Sequence, residues 1–199
     1  MANTSRPNGF RPVKYLNGTP WNGAFRIYAI PAAEGTATYI GDAVKLYTGD
    51  TTDVVNYPTV QRAAASDALI GVVVGFIPDY SNLNAAPYRV ASTLRYAMVA
   101  DDPNLLFEAE EDGAGDPLEL QDLGQNIDFV ATAGSTTTGQ SGMVIDSSTH
   151  ATTATLPLKL MEAKRSADNE LLADGQAYTR WIVKINNHQL GSHTGTAGV

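Results

Sequence analysis

Cysteine does not occur in this chain of 199 residues, which excludes disulfide bonds and thiolate metal ligands. A disulfide-stapled secreted scaffold is therefore not expected, and the fold must be held by apolar burial, by hydrogen bonds or by neighbours in an assembly. Apolar runs of about 18 residues are also missing, so the sequence predicts no membrane span and no membrane partner. The opening residues, MANTSRPNGF, lack an apolar signal segment, so no secretory signal is predicted.

Positive charge is scarce as well. The chain has 13 Lys and Arg against 21 Asp and Glu, which gives a formal net charge of -8. Nucleic-acid binding depends on basic surface, so no direct nucleic-acid partner is expected. Only 17% of residues are charged and 43% are hydrophobic, a composition typical of ordered rather than disordered chains. The length is enough for one ordinary domain or two small ones.

The charges are segregated along the sequence. Residues 1–33 contain no acid, whereas no Lys or Arg occurs between Arg95 and Lys159. Much of that gap is acidic: the segment 101–128 alone contains ten Asp and Glu residues. A basic leader and an acidic middle favour oriented contacts between copies of the chain or with a partner. The alternative is that both segments are solvated surface.

The leader is also rich in aromatic residues and proline, which suits an extended arm that reaches a neighbour. Its aromatic residues are predicted to anchor in apolar pockets, and its basic residues to meet acids on a partner or on an adjacent subunit. The predicted interface residues are Arg6, Phe10, Arg11, Lys14, Tyr15, Trp21 and Arg26. The predicted acidic interface consists of Glu108, Glu110, Glu111 and Asp112.

Hydrophobic periodicity predicts short β-strands. In YTRWIVKINNHQL, the set Thr179, Trp181, Val183 and Ile185 is the more apolar of two alternating sets. The run ALIGVVVGFI is continuously apolar and β-branched, which favours a buried strand, and its two glycines suggest a bulge or a close backbone approach. Only the alanine-rich stretch 60–69 permits a helix, and it is short.

Short strands separated by Gly, Pro and Asp turns predict a mainly β fold, with small β-barrel or jelly-roll-like sandwich modules and an extended N-terminal arm. We expect an arm at 1–24, a β-module at 25–95, a second at 96–190 and a flexible tail at 191–199. The arm should contribute little to the core. One continuous sandwich is the alternative.

The sequence offers little catalytic chemistry. His150, His188 and His193 are far apart and lack metal-ligand spacing, and no serine lies in a nucleophile elbow. Glu108 and Glu110 share a strand face, but paired glycosidase carboxylates usually come from different strands. The stretch DGAGD lacks the alternating ligands of a calcium loop. We therefore predict no enzyme, no catalytic residues, no metal and no cofactor.

Four segments, taken in order, resemble the structural cement (decoration) proteins of tailed-bacteriophage capsids. They are YIGDAVKLYTGD, ALIGVVVGF, YAMVADDPNLLFEAEEDG and RWIVKINNHQL, which together extend over most of residues 38–190. The resemblance implies a mainly β subunit that assembles on the outer capsid surface, typically as a trimer at or near a three-fold axis. Such a subunit clamps neighbouring major capsid proteins. The family has no fixed site motif, so no binding residue is transferred.

These implications define the expected function. The partners are the major capsid protein and further copies of the chain, and the location is the outer surface of a virion whose proteins are made in the bacterial cytoplasm. One alternative is a carbohydrate-binding β-module of a virion or cell-surface adhesin, with Trp21, Tyr57 and Tyr80 as stacking platforms. Another is a tail-associated virion protein with the same β character.

Overall fold

The computed structural model describes residues 3–49, 51, 52, 54, 56–171, 175–191 and 194–199. Within these residues it contains eleven strands and one short 3-10 helix, Leu120–Asp122. The strands are β1 Arg11–Tyr15, β2 Arg26–Ile30, β3 Ala43–Leu46, β4 Val60–Arg62, β5 Gly71–Phe76, β6 Arg95–Ala100, β7 Leu105–Glu110, β8 Asn126–Val130, β9 Val144–Ala151, β10 Leu158–Ala163 and β11 Arg180–Ile185. The mainly β prediction is confirmed. No helix of the described chain is long and apolar enough to cross a membrane.

The strands form two antiparallel sheets. The five-stranded sheet has the order β2-β6-β5-β3-β4, and the six-stranded sheet has the order β1-β7-β11-β10-β8-β9. The chain changes sheet between β6 and β7, at residues 101–104, where Asn104 N donates to Asp102 Oδ1 at 2.7 Å in a tight turn. The first strand of the chain, β1, lies at the edge of the six-stranded sheet beside β7, although the strands that follow it belong to the other sheet.

The central strand of the five-stranded sheet, β5, is buried on both faces. Its neighbouring residues enter different clusters: Val72 packs in the core shared with the six-stranded sheet, whereas Val73 packs in a second cluster. All five strands contribute to this second cluster, and its one other buried member, Ile70, directly precedes β5. A strand covered on both sides must be apolar at successive positions, which explains the continuous run in β5.

The five-stranded sheet curls without closing. Its edge strands β2 and β4 approach each other where Ala29 forms a parallel bridge with Thr59 and Ala29 N donates to Pro58 O at 2.9 Å. The stretch 60–69, where the sequence permits a short helix, instead begins with the edge strand β4 and continues through a turn. The second cluster fills the concave side of this sheet.

The six-stranded sheet shows the alternation that the sequence predicted for β11. Trp181, Val183 and Ile185 face the shared core, whereas Arg180 and Lys184 lie on the outer side. The neighbouring strand β7 alternates in the same way, with Phe107 inside and Glu108 outside. One face of this sheet therefore carries its charges, and the other packs on the five-stranded sheet.

The two glycines of the apolar run have separate roles. A Cβ at Gly71 would lie 2.3 Å from the carbonyl oxygen of Ala100, so the backbones of β5 and β6 approach too closely for any side chain. At Gly75 the pairing of β5 with β6 shifts register, as in a β-bulge. The sequence predicted either a close backbone approach or a bulge at these glycines, and the structure has the first at Gly71 and the second at Gly75.

The leader is not an independent arm, which corrects the prediction for residues 1–24. Residues 11–15 form the edge strand β1, with Arg11 opposite Glu108 and Tyr15 opposite Leu105. Phe10 is only 2% exposed and packs edge-to-face on Phe129, with ring centroids 5.9 Å apart. The sequence resembles an arm because proline and glycine interrupt the hydrophobic period that marks a strand.

The described part of the C-terminal segment, 194–199, is docked rather than free. Asn126 Nδ2 donates to Thr196 O at 2.6 Å, and Thr196 N donates to Asn186 Oδ1 at 3.0 Å. Gly198 N donates to Thr152 O at 3.0 Å. These hydrogen bonds hold the backbone of residues 194–199 on the fold, which corrects the expectation of a flexible tail for that segment.

We expect Phe10→Ala to lower the free energy of unfolding by about 3–5 kcal/mol, because it empties a fully packed aromatic site in the shared core. The matched control is Phe25→Ala, which removes a 44% exposed ring and should cost about 0.5 kcal/mol or less. Denaturant unfolding followed by tryptophan fluorescence measures both. Equal losses would contradict the assignment of the leader to the core.

Candidate functional site

The leader forms a hairpin on the edge of the six-stranded sheet. After β1 the chain turns back, so that Tyr15 N donates to Thr19 O at 2.8 Å and Trp21 N donates to Val13 O at 3.0 Å. Trp21 is partly buried against the shared core, and its Nε1 donates to Ala24 O at 3.1 Å. Tyr15 is also partly buried at this edge. The hairpin thus fixes two of the three predicted aromatic anchors against their own chain.

The basic residues of the leader meet acids of the same chain. The backbone amide of Arg6 donates to both carboxylate oxygens of Glu110 at 2.9 Å. Lys14 forms an ion pair with Glu162, and Arg26 Nη1 lies 3.4 Å from Asp101 Oδ2. Lys14 and Arg26 therefore find acidic partners within one subunit, on β10 and directly after β6, while β7 contacts the leader through the Arg6 amide.

The four predicted acidic interface residues are largely engaged inside the subunit. Glu108 lies 2.9 Å from Lys164 Nζ and 3.7 Å from Arg180 Nη1, and Asp112 Oδ1 accepts a 2.8 Å bond from Ser147 Oγ. Glu110 and Glu111 are buried. This corrects their assignment to an exposed interface: Glu110 shares the outer face of β7 with Glu108 but is covered by the leader at Arg6, and Glu111, just after β7, turns toward Trp181 of the core.

Glu111 occupies an unusual environment. Its carboxylate is fully buried, and Oε2 accepts bonds from Leu118 N at 3.1 Å and Trp181 Nε1 at 3.2 Å. Burial raises the pKa of Glu111 to about 7, although these two donors act in the opposite direction and Asp112 adds to the rise. The carboxyl ties the acidic segment after β7 to the tryptophan of β11.

One exposed apolar surface lies beside the leader hairpin, at the C-terminal end of β6. Leu16, Phe25 and Leu190 are 50%, 44% and 46% exposed. They line two adjoining clefts that share Tyr15 and Asp102. We call this surface the hairpin face; it consists of Tyr15, Leu16, Phe25, Arg26, Asp102 and Leu190. Clustered exposed apolar side chains rimmed by charges are typical of protein contacts.

A second surface lies at the N-terminal end of β6. There the segment 77–96 encloses an open groove of about 620 Å³. We call it the loop groove; its main lining residues are Ile77, Tyr80, Tyr88, Leu94, Arg95 and Tyr96. Six residues along an antiparallel strand span about 20 Å, so the two surfaces are separated by the length of β6.

Arg89 organises the wall of the loop groove, and the sequence analysis did not identify it. Its side chain is completely buried and donates to four carbonyl oxygens, those of Pro31, Glu34, Thr36 and Thr93, at 2.6 to 2.8 Å. One guanidinium thus joins the loop after β2 to the loop before β6. Nothing in the local pattern indicates this, because arginine is usually a surface residue.

The predicted stacking aromatics do not form one site. Trp21 lies on the leader hairpin, whereas Tyr80 lines the loop groove. Tyr57 packs against Tyr96 of that groove, with ring centroids 5.1 Å apart. Two of the three are therefore associated with the same end of the molecule.

The two histidines that the structure describes, His150 and His188, lie on different parts of the fold and do not contact each other. His188 is buried, accepts a 3.0 Å bond from Leu190 N and has its pKa lowered to about 4, chiefly by burial. His150 Nδ1 lies 2.8 Å from Ser147 O, and His193 lies outside the described residues. Among the residues that the structure describes, no three acidic or histidine side chains are grouped to hold a metal ion.

Comparison with known proteins adds no relative. No protein-family model, no curated protein and no solved structure matches this chain.

The raised pKa of Glu111 predicts a pH-dependent stability. Between about pH 4.5 and 7 the unfolded carboxyl is ionised while the folded one keeps its proton, so the contribution of Glu111 to stability falls as pH rises through this window, whereas the lowered pKa of His188 adds an opposite rise that the protein and its Glu111 variant share. The loss should reach about 3 kcal/mol. Glu111→Gln should remove this decline.

The measurement is denaturant unfolding at a series of pH values from 4 to 8. The control is Asp116→Asn, which alters an exposed acid of the same segment and should leave the decline in place. A Glu111→Gln profile parallel to that of the unsubstituted protein would contradict the assignment.

Proposed function

We propose that this protein is a structural component of a tailed-bacteriophage virion, which binds the outer surface of the capsid and clamps neighbouring major capsid proteins. It is made in the bacterial cytoplasm and acts as an oligomer, for which the resemblance implies a trimer. The ordered resemblance of four segments supports the choice of partner. The observation that supports docking is the hairpin face, with three half-exposed apolar side chains in one place.

The chemistry of the hairpin face suits a protein surface. Exposed Leu and Phe side chains gain free energy when another protein removes them from water. Arg26 is held near Asp101, which also accepts a 2.7 Å bond from Tyr28 Oη, so this charge is positioned at the rim. An aromatic ring, an arginine and a polar rim are features of interface centres and their edges.

A clamp of this kind stabilises a shell by linkage. Contacts that bridge neighbouring capsomers exist only in the intact shell, so the protein stabilises that state to the extent that it binds it more tightly than the ruptured one. Each subunit needs to contribute only a few kcal/mol, because many copies act together. The protein provides docking surface and needs no catalytic group.

Leu190→Asp should abolish or strongly weaken co-sedimentation with capsids from which the protein is missing, because it places a charge at the apolar centre of the hairpin face. The matched control is Leu120→Asp, which changes a leucine of similar exposure, 51%, on the 3-10 helix. Both variants should keep the melting temperature of the unsubstituted protein, since both side chains are already half in water.

The same co-sedimentation experiment also tests whether the protein binds capsids at all. Failure of the unsubstituted protein to bind these capsids would overturn the capsid function. Equal binding by Leu190→Asp and Leu120→Asp would instead exclude the hairpin face as the docking surface. Light scattering on the free protein tests for the trimer.

A further inference from the structure

The loop groove has the dimensions of a ligand site. Its volume of about 620 Å³ falls within the range of about 300–1,000 Å³ that small-molecule sites occupy. Its floor is formed by the start of β6, and one wall is held by the buried Arg89. The groove is therefore formed on the structured part of the chain before any ligand is present.

Tyrosine dominates the apolar lining. Tyr80, Tyr88 and Tyr96 line the groove, and Tyr80 is 84% exposed. Tyr88 is stacked on Tyr39 at 4.8 Å, and Tyr96 is packed on Tyr57 at 5.1 Å, so these two rings are supported from behind. A tyrosine offers a flat apolar face and a hydroxyl with little loss of conformational entropy.

The two charged groups of the groove, Arg95 and Asp79, are of opposite sign. Arg95 Nη1 donates to Ala86 O at 2.6 Å and Tyr88 O at 2.7 Å, and its guanidinium lies 5.0 Å over the Phe76 ring, while its buried Nε has no hydrogen-bond partner among the described residues. Asp79 Oδ1 accepts bonds from both the amide and the hydroxyl of Ser81, at 2.9 and 2.6 Å. One charge of each sign leaves the lining without a net charge, so the groove favours neither an anionic nor a cationic ligand.

A suitable ligand therefore combines apolar faces with hydrogen-bonding edges and carries no charge. Pyranose rings have this form, because their C–H faces pack on aromatic rings and their hydroxyls meet polar edges. The exposed amide of Asn82 and the phenol of Tyr80 lie at the rim, where such hydroxyls arrive. We propose that the loop groove binds a neutral oligosaccharide, independently of the capsid function.

The test measures binding of the full chain to neutral hexasaccharides by isothermal titration calorimetry, with maltohexaose, cellohexaose and chitohexaose as probes. A glycan array that includes neutral and anionic glycans extends the range. We expect binding to at least one neutral glycan. Tyr80→Ala should weaken it about ten-fold or more, and Tyr80→Phe, which keeps the ring, should retain most of it.

Leu120→Ala is the matched control, because it removes an exposed apolar side chain that lines neither the loop groove nor the hairpin face and should leave glycan affinity unchanged. Tyr80 is almost fully exposed, so its variants should fold normally. Absence of binding to every neutral glycan, binding to anionic glycans alone, or full affinity in Tyr80→Ala would each overturn the proposal. Loss of capsid binding by Tyr80→Ala without any glycan binding would assign the groove to protein docking instead.

Discussion

Burial of the central strand β5 on both faces is the constraint on which the other features depend. It requires apolar residues at successive positions of β5 and leaves no room for a side chain at Gly71. The buried Asp42 lies beside this strand and accepts from Arg62 Nε at 2.9 Å, and Arg62 also reaches Thr132 O in the segment after β8. The two surfaces proposed for contact with other molecules lie at the ends of β6, not on a sheet face.

Strand pairing within the chain places the basic leader beside part of the acidic middle. The basic leader becomes the neighbour of the acidic strand β7, and a backbone amide at Arg6 caps the carboxylate of Glu110. Surface ion pairs such as Lys14 with Glu162 contribute little to stability individually, so the register of β1 depends mainly on Phe10 in the core. The separation of basic and acidic segments along the sequence is therefore compatible with contacts inside one subunit as well as with oriented contacts between subunits.

Sequence reasoning predicted those parts of the fold that a local period can encode. The alternation around Trp181 and the buried run of β5 were identified because period and burial are read from neighbouring residues. The strand at Arg11–Tyr15 was missed, since Pro12 interrupts its pattern and its stability comes from β7, far away in the sequence. Arg89 was missed for the same reason: its four carbonyl partners are defined only by the tertiary fold.

The position of β6 determines how the two proposed surfaces can act together. Arg95 begins the strand at the loop groove, and Asp101 follows its end at the hairpin face. The strand is hydrogen-bonded on both sides, to β2 and to β5, so it acts as a stiff spacer of about 20 Å. In a subunit docked through the hairpin face, the groove would lie about 20 Å from the docking contact. Occupation of one surface then leaves the other accessible, because neither shares a lining residue with the other.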